Sequence, residues 1–282
     1  MVLMALKSVS TILKDAQKNH YAVAAFNVFN FESISWIIKA AEQENAPVIA
    51  MLYPSVSSHI PASTFCVTVK DIARNAKVPV GVHYDHSNSF EQIMTAIKEG
   101  FPSVMIDGSY LPFDENVKIT RDIVRVAHPM GIDVEAELGY VGRASNENDY
   151  VNSSTYTNPD SAVEFIDRTG VDSLAIAIGS AHGNYVSAPN LDLDRLKEIR
   201  NKISVPLVLH GGSGIPDDQI KKAVKLGITK LNIGTEFGQQ FYLQMKEIMM
   251  GEKAPKSMLG CLSALESGMV SYIRSKIQLL KG

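Results

Sequence analysis

The chain has 282 residues, 45% hydrophobic and 20% charged, with 27 basic against 30 acidic side chains and a formal net charge of -3. That composition excludes a disordered chain, a collagen-like repeat and a coiled-coil rod. The near balance of charge offers no broad positive field for nucleic acid or anionic lipid, so an anionic ligand needs a local site. Two cysteines far apart in sequence, Cys66 and Cys261, indicate neither a disulfide framework nor a cysteine zinc site, and suit a reducing cytoplasm. The opening Met-Val-Leu-Met-Ala-Leu run before Lys7 is too short for a signal peptide, and no stretch approaches a membrane span. A first helix that packs on the core is expected there.

Short runs rich in Val, Ile and Ala then alternate with helix-period segments, the pattern of a parallel sheet with crossover helices. A strand is predicted at 21–27 with a helix at 32–43, a second strand at 47–53, and a third at 78–84 followed by a helix at 89–98 opened by Ser89. The fourth strand, 103–107, precedes a helix at 115–127; the fifth, 133–138, precedes one at 159–168 that Asn158 and Pro159 open. The sixth, 173–179, leads to a helix at 192–201, the seventh, 206–210, to one at 217–226, and the eighth, 230–233, to one at 237–250 and a final helix near 259–280. Eight such units without a break in composition predict one α/β domain over 1–282, a (β/α)8 TIM barrel with an extra C-terminal helix. A doubly wound sheet with a small second domain is the alternative. Residues 139–157, a polar stretch after the fifth strand, read either as an active-site lid or as a surface excursion.

In a barrel, the C-terminal ends of the strands converge on the catalytic face. Those positions are Asn27, Ser55, Asp85 with His86, Asp107, Glu137, His182, His210, and Asn232 with Thr235. Three histidines on one rim suit zinc, leaving a position open for substrate. His83 shares a strand face with Asp85, so either His83 or His86 can be the ligand from the third strand. Asp85, Glu135 and Glu137 are the candidate acid–base groups; Glu135 and Glu137 share one face, which is costly unless a cation, hydrogen bonds or a proton compensates. Glycines follow the seventh strand in His210-Gly211-Gly212-Ser213-Gly214 and the eighth in Asn232-Ile233-Gly234-Thr235. Loops there are the usual phosphate site of a barrel, where backbone N–H groups approach the anion.

The runs at 82–90, 105–117, 134–139, 175–183 and 206–214 together resemble the class II, zinc-dependent ketose-bisphosphate aldolases, in order over nearly the whole chain. The resemblance is closest to the fructose/tagatose 1,6-bisphosphate branch. It implies a cytoplasmic carbon–carbon lyase of carbohydrate metabolism and glycolysis, a homodimer or homotetramer. It would reversibly cleave a ketose 1,6-bisphosphate to glycerone phosphate and glyceraldehyde 3-phosphate, with no nucleic acid or membrane partner. By matching positions, His86, His182 and His210 would bind Zn2+, and Glu137 would meet the metal in a buried alternative position. Asp85 would exchange the proton of the C4 hydroxyl. Gly183, Gly211, Gly212, Ser213, Asn232, Gly234 and Thr235 would cradle the glycerone-side phosphate, with Na+ or K+ nearby, and Asn27 and Ser55 would line the substrate site. Arg274 would reach the far phosphate, in many members of the family from a neighbouring subunit.

Departures from the pattern bear on substrate. The family often has Lys shortly after His-Gly-x-Tyr, where this chain reads His182-Gly183-Asn184-Tyr185-Val186-Ser187-Ala188-Pro189. Its mobile loop usually carries Gly-Gly-x-Glu-Asp, where this chain reads Gly142-Arg143-Ala144-Ser145-Asn146-Glu147-Asn148-Asp149, making Glu147 the candidate base for the C3 proton. A Gly-Ser-Ala phrase near the C-terminus is absent, and Gly234 stands where some fructose enzymes have Asp. Another phosphorylated ketose is therefore an alternative substrate. A zinc barrel hydrolase would usually take His-x-His from the first strand, which here ends Phe26-Asn27-Val28. A non-catalytic aldolase subunit should have lost ligands that this chain keeps.

Overall fold

The computed structural model describes residues 5–282; residues 1–4, the front of the expected N-terminal stretch, lie outside them. In chain order the elements are α1 (Val9–Lys18), β1 (Val23–Asn27), α2 (Phe31–Glu44), β2 (Val48–Leu52), α3 (Ala62–Ala73) and β3 (Val80–Ser87). Then come α4 (Phe90–Lys98), β4 (Ser103–Ile106), α5 (Phe113–Ala127), β5 (Asp133–Leu138), the short α6 (Asn148–Val151), α7 (Pro159–Thr169) and β6 (Ser173–Ile176). The chain closes with α8 (Leu193–Lys202), β7 (Leu207–Leu209), α9 (Asp217–Lys225), β8 (Ile228–Ile233), α10 (Thr235–Met250) and α11 (Met258–Leu279). The strands form a closed parallel barrel in the order β1 to β8, so the fold is a (β/α)8 barrel with the expected extra C-terminal helix.

Two segments are filled in by the structure. The eight strand-then-helix units imply a helix between the second and third strands for which the sequence reading gives no range; it is α3, which buries Phe65, Cys66, Val69 and Ala73 along one face. Residues 139–157 also carry more structure than a bare loop, namely α6 and a 3-10 turn at Ser153–Thr155.

Strand periodicity builds two cores. The outward residues Phe26, Ala50, Val82, Ile106, Ala136 and Leu231 pack beneath the helix ring, where full burial of each large apolar side chain is worth ~1.5–3 kcal/mol. Inward residues form the barrel lumen. At its floor Val23, Ala25, Ile49 and Met51 meet Val9, Ile12, Leu13 and Ala16 of α1, which closes the bottom. Gly81 permits that closure, since a Cβ there would lie 3.0 Å from Ile49 and 3.2 Å from Val9. Above this plug the lumen turns polar, through His83, Glu135 and Lys230 to Asp85, Glu137, His210 and Asn232, all buried. Helix α11 lies across α2 and α10, burying Leu265, Met269, Ile273 and Ile277. No described helix is long and apolar enough to cross a membrane.

Candidate active site

The third strand places two functional residues side by side. Simple alternation would send Asp85 inward and His86 outward. The register between β3 and β4 shifts between Tyr84 and Ser87, and His86 takes a left-handed backbone (φ 46°), so its ring joins Asp85 over the lumen. His83 stays lower in the barrel, bonded through Nδ1 to Ser103 Oγ at 2.7 Å, outside the ligand cluster. The choice left open between His83 and His86 is thereby resolved for His86.

His86, Glu137, His182 and His210 each offer a ligand atom, and these atoms lie within 4.8 Å of one another. His86 Nε2 is 2.8 Å from His210 Nδ1, and His210 Nε2 is 3.0 Å from Glu135 Oε1. A ring N–H donated to Glu135 leaves the His210 Nδ1 lone pair facing the cluster. Glu137 Oε2 and His182 Nε2 are buried there without a hydrogen-bond partner. Orphaned buried polar atoms are costly, and here they converge as three nitrogens and a carboxylate, a donor set that suits zinc. The residues fit a divalent transition metal.

The electrostatics of the lumen follow from pairing. Burial pushes Glu137 well above the usual carboxylate range, with Asp107 adding to the effect. Burial favours the neutral rings of His182 and His210, with repulsion from the neighbouring His86 ring in the same direction. Burial also disfavours charge on His86, yet Asp85, Asp107 and Glu137 hold it up to about 9. The Asp85 carboxyl resists burial and comes down to about 2 under the charges of His86, His210 and Lys230. Asn27 and Asn232 aim it, their amide nitrogens donating to its two oxygens at 2.9 and 3.1 Å.

A residue that sequence reasoning missed holds the centre together. Lys230 is fully buried and bonds both oxygens of Glu135 at 2.9 and 2.8 Å. The compensating cation expected near Glu135 is thus a lysine, and Glu135 is an ionised anchor for His210 rather than an acid–base group. Alternation along β8 carries the signal, since Lys230 and Asn232 share a face.

These groups floor a cavity of about 550 Å³, within the usual size for a small-molecule site. Gly183, Gly211, Ser213, Asn232, Gly234 and Thr235 line one part of it, with Thr235 at the N-terminus of α10. Tyr185 ties two of these loops: its hydroxyl accepts from Ala181 N at 2.7 Å and donates to Gly211 O at 3.0 Å. Asn27 also lines the cavity; Gly212 and Ser55 do not. Ser55 sits on an exposed 3-10 turn after β2, and Tyr53 takes the lining position, its ring edge-on to His86. A larger groove of about 920 Å³ beside α5 gathers exposed charges such as Glu115 and Arg125 and none of the ligand chemistry.

Two expected residues stand apart from the cavity. Glu147 faces outward, accepting from Ser187 Oγ at 2.7 Å. Arg274 lies on α11, its Nε 2.7 Å from Glu44 Oε1, because Glu44 at the end of α2 gathers Arg274, Gln278 and Lys281. The loop that carries Glu147 is fixed at its base: Ala144 N donates to His182 O at 2.9 Å and His182 N to Gly142 O at 2.8 Å, with Ala144, Tyr150 and Ala181 buried together.

The family model for fructose-bisphosphate aldolase class-II matches residues 7–282. The chain belongs to this family. Class II aldolases are metal-dependent carbon–carbon lyases of phosphorylated sugars, and the cluster above is where this aldolase has ligands for a metal. The YdjI protein of Escherichia coli K12 is 45% identical over 233 residues, 83% of this aldolase and 84% of YdjI. The crystal structure of the YdjI aldolase superposes with a TM-score of 0.87 at 39% identity, covering 98% of this chain and 97% of that one. Campylobacter jejuni fructose-bisphosphate aldolase shares the fold, with a TM-score of 0.81 at 24% identity over 98% of this chain and 95% of its own.

Proposed function

We propose that this aldolase uses zinc to cleave a ketose 1,6-bisphosphate, fructose or tagatose, reversibly to glycerone phosphate and glyceraldehyde 3-phosphate. The observation that carries the reading is the cluster of His86, His182, His210 and Glu137, in which Glu137 Oε2 and His182 Nε2 are buried without a hydrogen-bond partner, beside an aimed and ionised Asp85. Zinc held by those residues would supply Lewis-acid polarisation of the C2 carbonyl, so no lysine Schiff base is required.

The chain's own groups do the rest. Asp85 takes the proton of the C4 hydroxyl during cleavage and returns one in synthesis; its two amide partners fix the lone pair that receives it. Gly183, Gly211, Ser213, Asn232, Gly234 and Thr235 hold the glycerone-side phosphate by close backbone approach and the α10 N-terminus, beside a Na+ or K+ ion, with Gly212 shaping the turn. Glu147 handles the C3 proton once the loop tip leaves Ser187 and folds inward. A cytoplasmic homodimer or homotetramer belongs to the same reading, and the exposed Tyr242, Leu243, Met250 and Leu259 are apolar surface that such an assembly would cover.

The test is zinc content of the purified protein, with cleavage of fructose and tagatose 1,6-bisphosphates measured with and without chelator. Expected are bound zinc, chelator-sensitive cleavage restored by zinc, and loss of both in His210→Ala. Cleavage that survives chelation, or full activity in His210→Ala, overturns the mechanism. Bound zinc with neither sugar cleaved shifts the substrate to another phosphorylated ketose.

A further inference from the structure

Among the described residues lining the catalytic cavity, the one lysine or arginine is Arg143, on the loop after β5. An anion seated on the loops after β6, β7 and β8 therefore relies on backbone N–H groups, hydroxyls and the N-terminus of α10. A carboxylate stands in the same helix turn: Glu236, the second residue of α10. First-turn carboxylates are drawn to the unpaired N–H groups and positive dipole end that also bind phosphate, so Glu236 is a built-in competitor for that place.

The fold turns Glu236 the other way. Its carboxylate meets Lys276 Nζ of α11 at 2.6 Å, with only 23% and 16% of the two side chains exposed, so solvent ions screen the pair little. Both residues line a second cavity of about 470 Å³, and Ser213 is the residue common to it and the catalytic cavity. Tyr272, one turn before Lys276, steadies the lysine, whose Nζ stands 5.7 Å from the ring centroid. The Tyr272 hydroxyl is buried, and burial together with the Glu236 charge keeps its proton in place. On the other side, the Glu236 N–H donates to Ser213 Oγ at 3.0 Å, so Ser213 has its own proton to donate. Gln239, one turn on in α10, donates from Nε2 to Asn184 Oδ1 at 2.8 Å, next to Gly183.

We propose that Lys276 is a positioning residue for the phosphate: by holding the Glu236 carboxylate behind Ser213, it keeps the α10 N-terminus open to the glycerone-side phosphate. The C-terminal helix, none of whose described residues lines the catalytic cavity, thereby sets the affinity for the phosphorylated donor. The proposal rests on the phosphate site of the reading above and adds a residue outside that site.

The experiment titrates inorganic phosphate and glycerone phosphate into the zinc-loaded enzyme by calorimetry at fixed ionic strength, beside steady-state kinetics in the synthetic direction. Lys276→Met should weaken both anions about 5- to 30-fold, the effect of one carboxylate at a helix N-terminus, and should raise KM for glycerone phosphate by the same factor with little change in kcat. Lys276→Arg should stay near wild type. Glu236→Gln should bind both anions at least as tightly as wild type, and adding it to Lys276→Met should restore binding. Weaker binding in Glu236→Gln alone overturns the proposal. So does a Lys276→Met loss that persists beside Glu236→Gln, which would make the lysine a direct contact of the anion, or a loss confined to kcat. A wild type that binds neither anion removes the phosphate site and the proposal with it. Binding that follows the expected pattern in an enzyme that condenses no aldehyde with glycerone phosphate supports the proposal and overturns the aldolase reading.

Discussion

Replacing Lys230 by methionine tests the account of the lumen most directly. The substitution keeps the apolar stem and removes the charge, with its two bonds to Glu135 at 2.9 and 2.8 Å, in a place where both side chains are buried. Glu135 would keep His210 at 3.0 Å and Ser173 Oγ at 3.2 Å. A buried charge left wholly unpaired costs ~3–5 kcal/mol. The two remaining hydrogen bonds put the expected loss at the lower end, about 3 kcal/mol, a large share of a usual total of about 5–15 kcal/mol. The assay is urea unfolding of the chelated protein at fixed concentration, with the slope checked for constancy.

The pH dependence has a definite sign. In wild type, Lys230 and His210 outweigh burial and hold the Glu135 carboxyl well below its ordinary value. Its contribution to stability is therefore full above the unfolded carboxylate pKa and is lost as the pH falls below it. In Lys230→Met burial dominates and Glu135 folds with a proton, so stability falls as the pH rises above about 4.5, by up to about 1.4 kcal/mol per pH unit until the folded carboxyl ionises. The destabilisation relative to wild type must therefore grow from about pH 5 to 7, and Lys230→Met with Glu135→Gln must recover most of it. A loss below about 1 kcal/mol, or one that is flat with pH, would refute the pairing as the means by which Glu135 is buried.

Two further outcomes follow from the site. Asp85→Ala should lower kcat/KM by about 10²–10⁴ with zinc still bound, and should cost about 1–3 kcal/mol because the Asn27 and Asn232 amides lose their shared acceptor; kinetics and unfolding on one preparation check both. Gly211→Ala should cost about 1–3 kcal/mol and raise KM for the phosphorylated substrate, since φ is 66° and a Cβ would run into the Ala181 backbone; urea unfolding and KM read it.

Much of this arrangement is legible in sequence because the barrel converts strand order into proximity. Asp85, Glu137, His210 and Asn232 are separated by tens of residues, yet each ends a strand, and closure of the sheet brings them to one rim. What sequence could not supply is departure from regular geometry. The placement of His86 beside Asp85 depends on a bulge, and no residue type announces one there. The pairing of Arg274 with Glu44 at the end of α2 joins residues 230 positions apart, and only the folded chain shows it. Lys230 was readable but overlooked: a lysine inside an apolar strand breaks the pattern, and such a break in a lumen position demands a buried anion.

Charge accounting in the lumen also says why the metal site lies where it does. Four carboxylates enclose it, and three have partners. Asp85 has two asparagine amides, Asp107 accepts from Ser109 N at 3.0 Å and Ser109 Oγ at 2.7 Å, and Glu135 has Lys230 and His210. Glu137 accepts one hydrogen bond, from the Val141 N–H at 3.3 Å, and its second oxygen, 3.5 Å from His210 Nδ1, has none. It is the one carboxylate whose ionisation waits on a cation, and ring nitrogens of His86, His182 and His210 lie within 4.8 Å of it and of one another. Pairing every other acid inside the barrel concentrates the unmet demand for positive charge at a single position, which is a stronger argument for a metal than any histidine count.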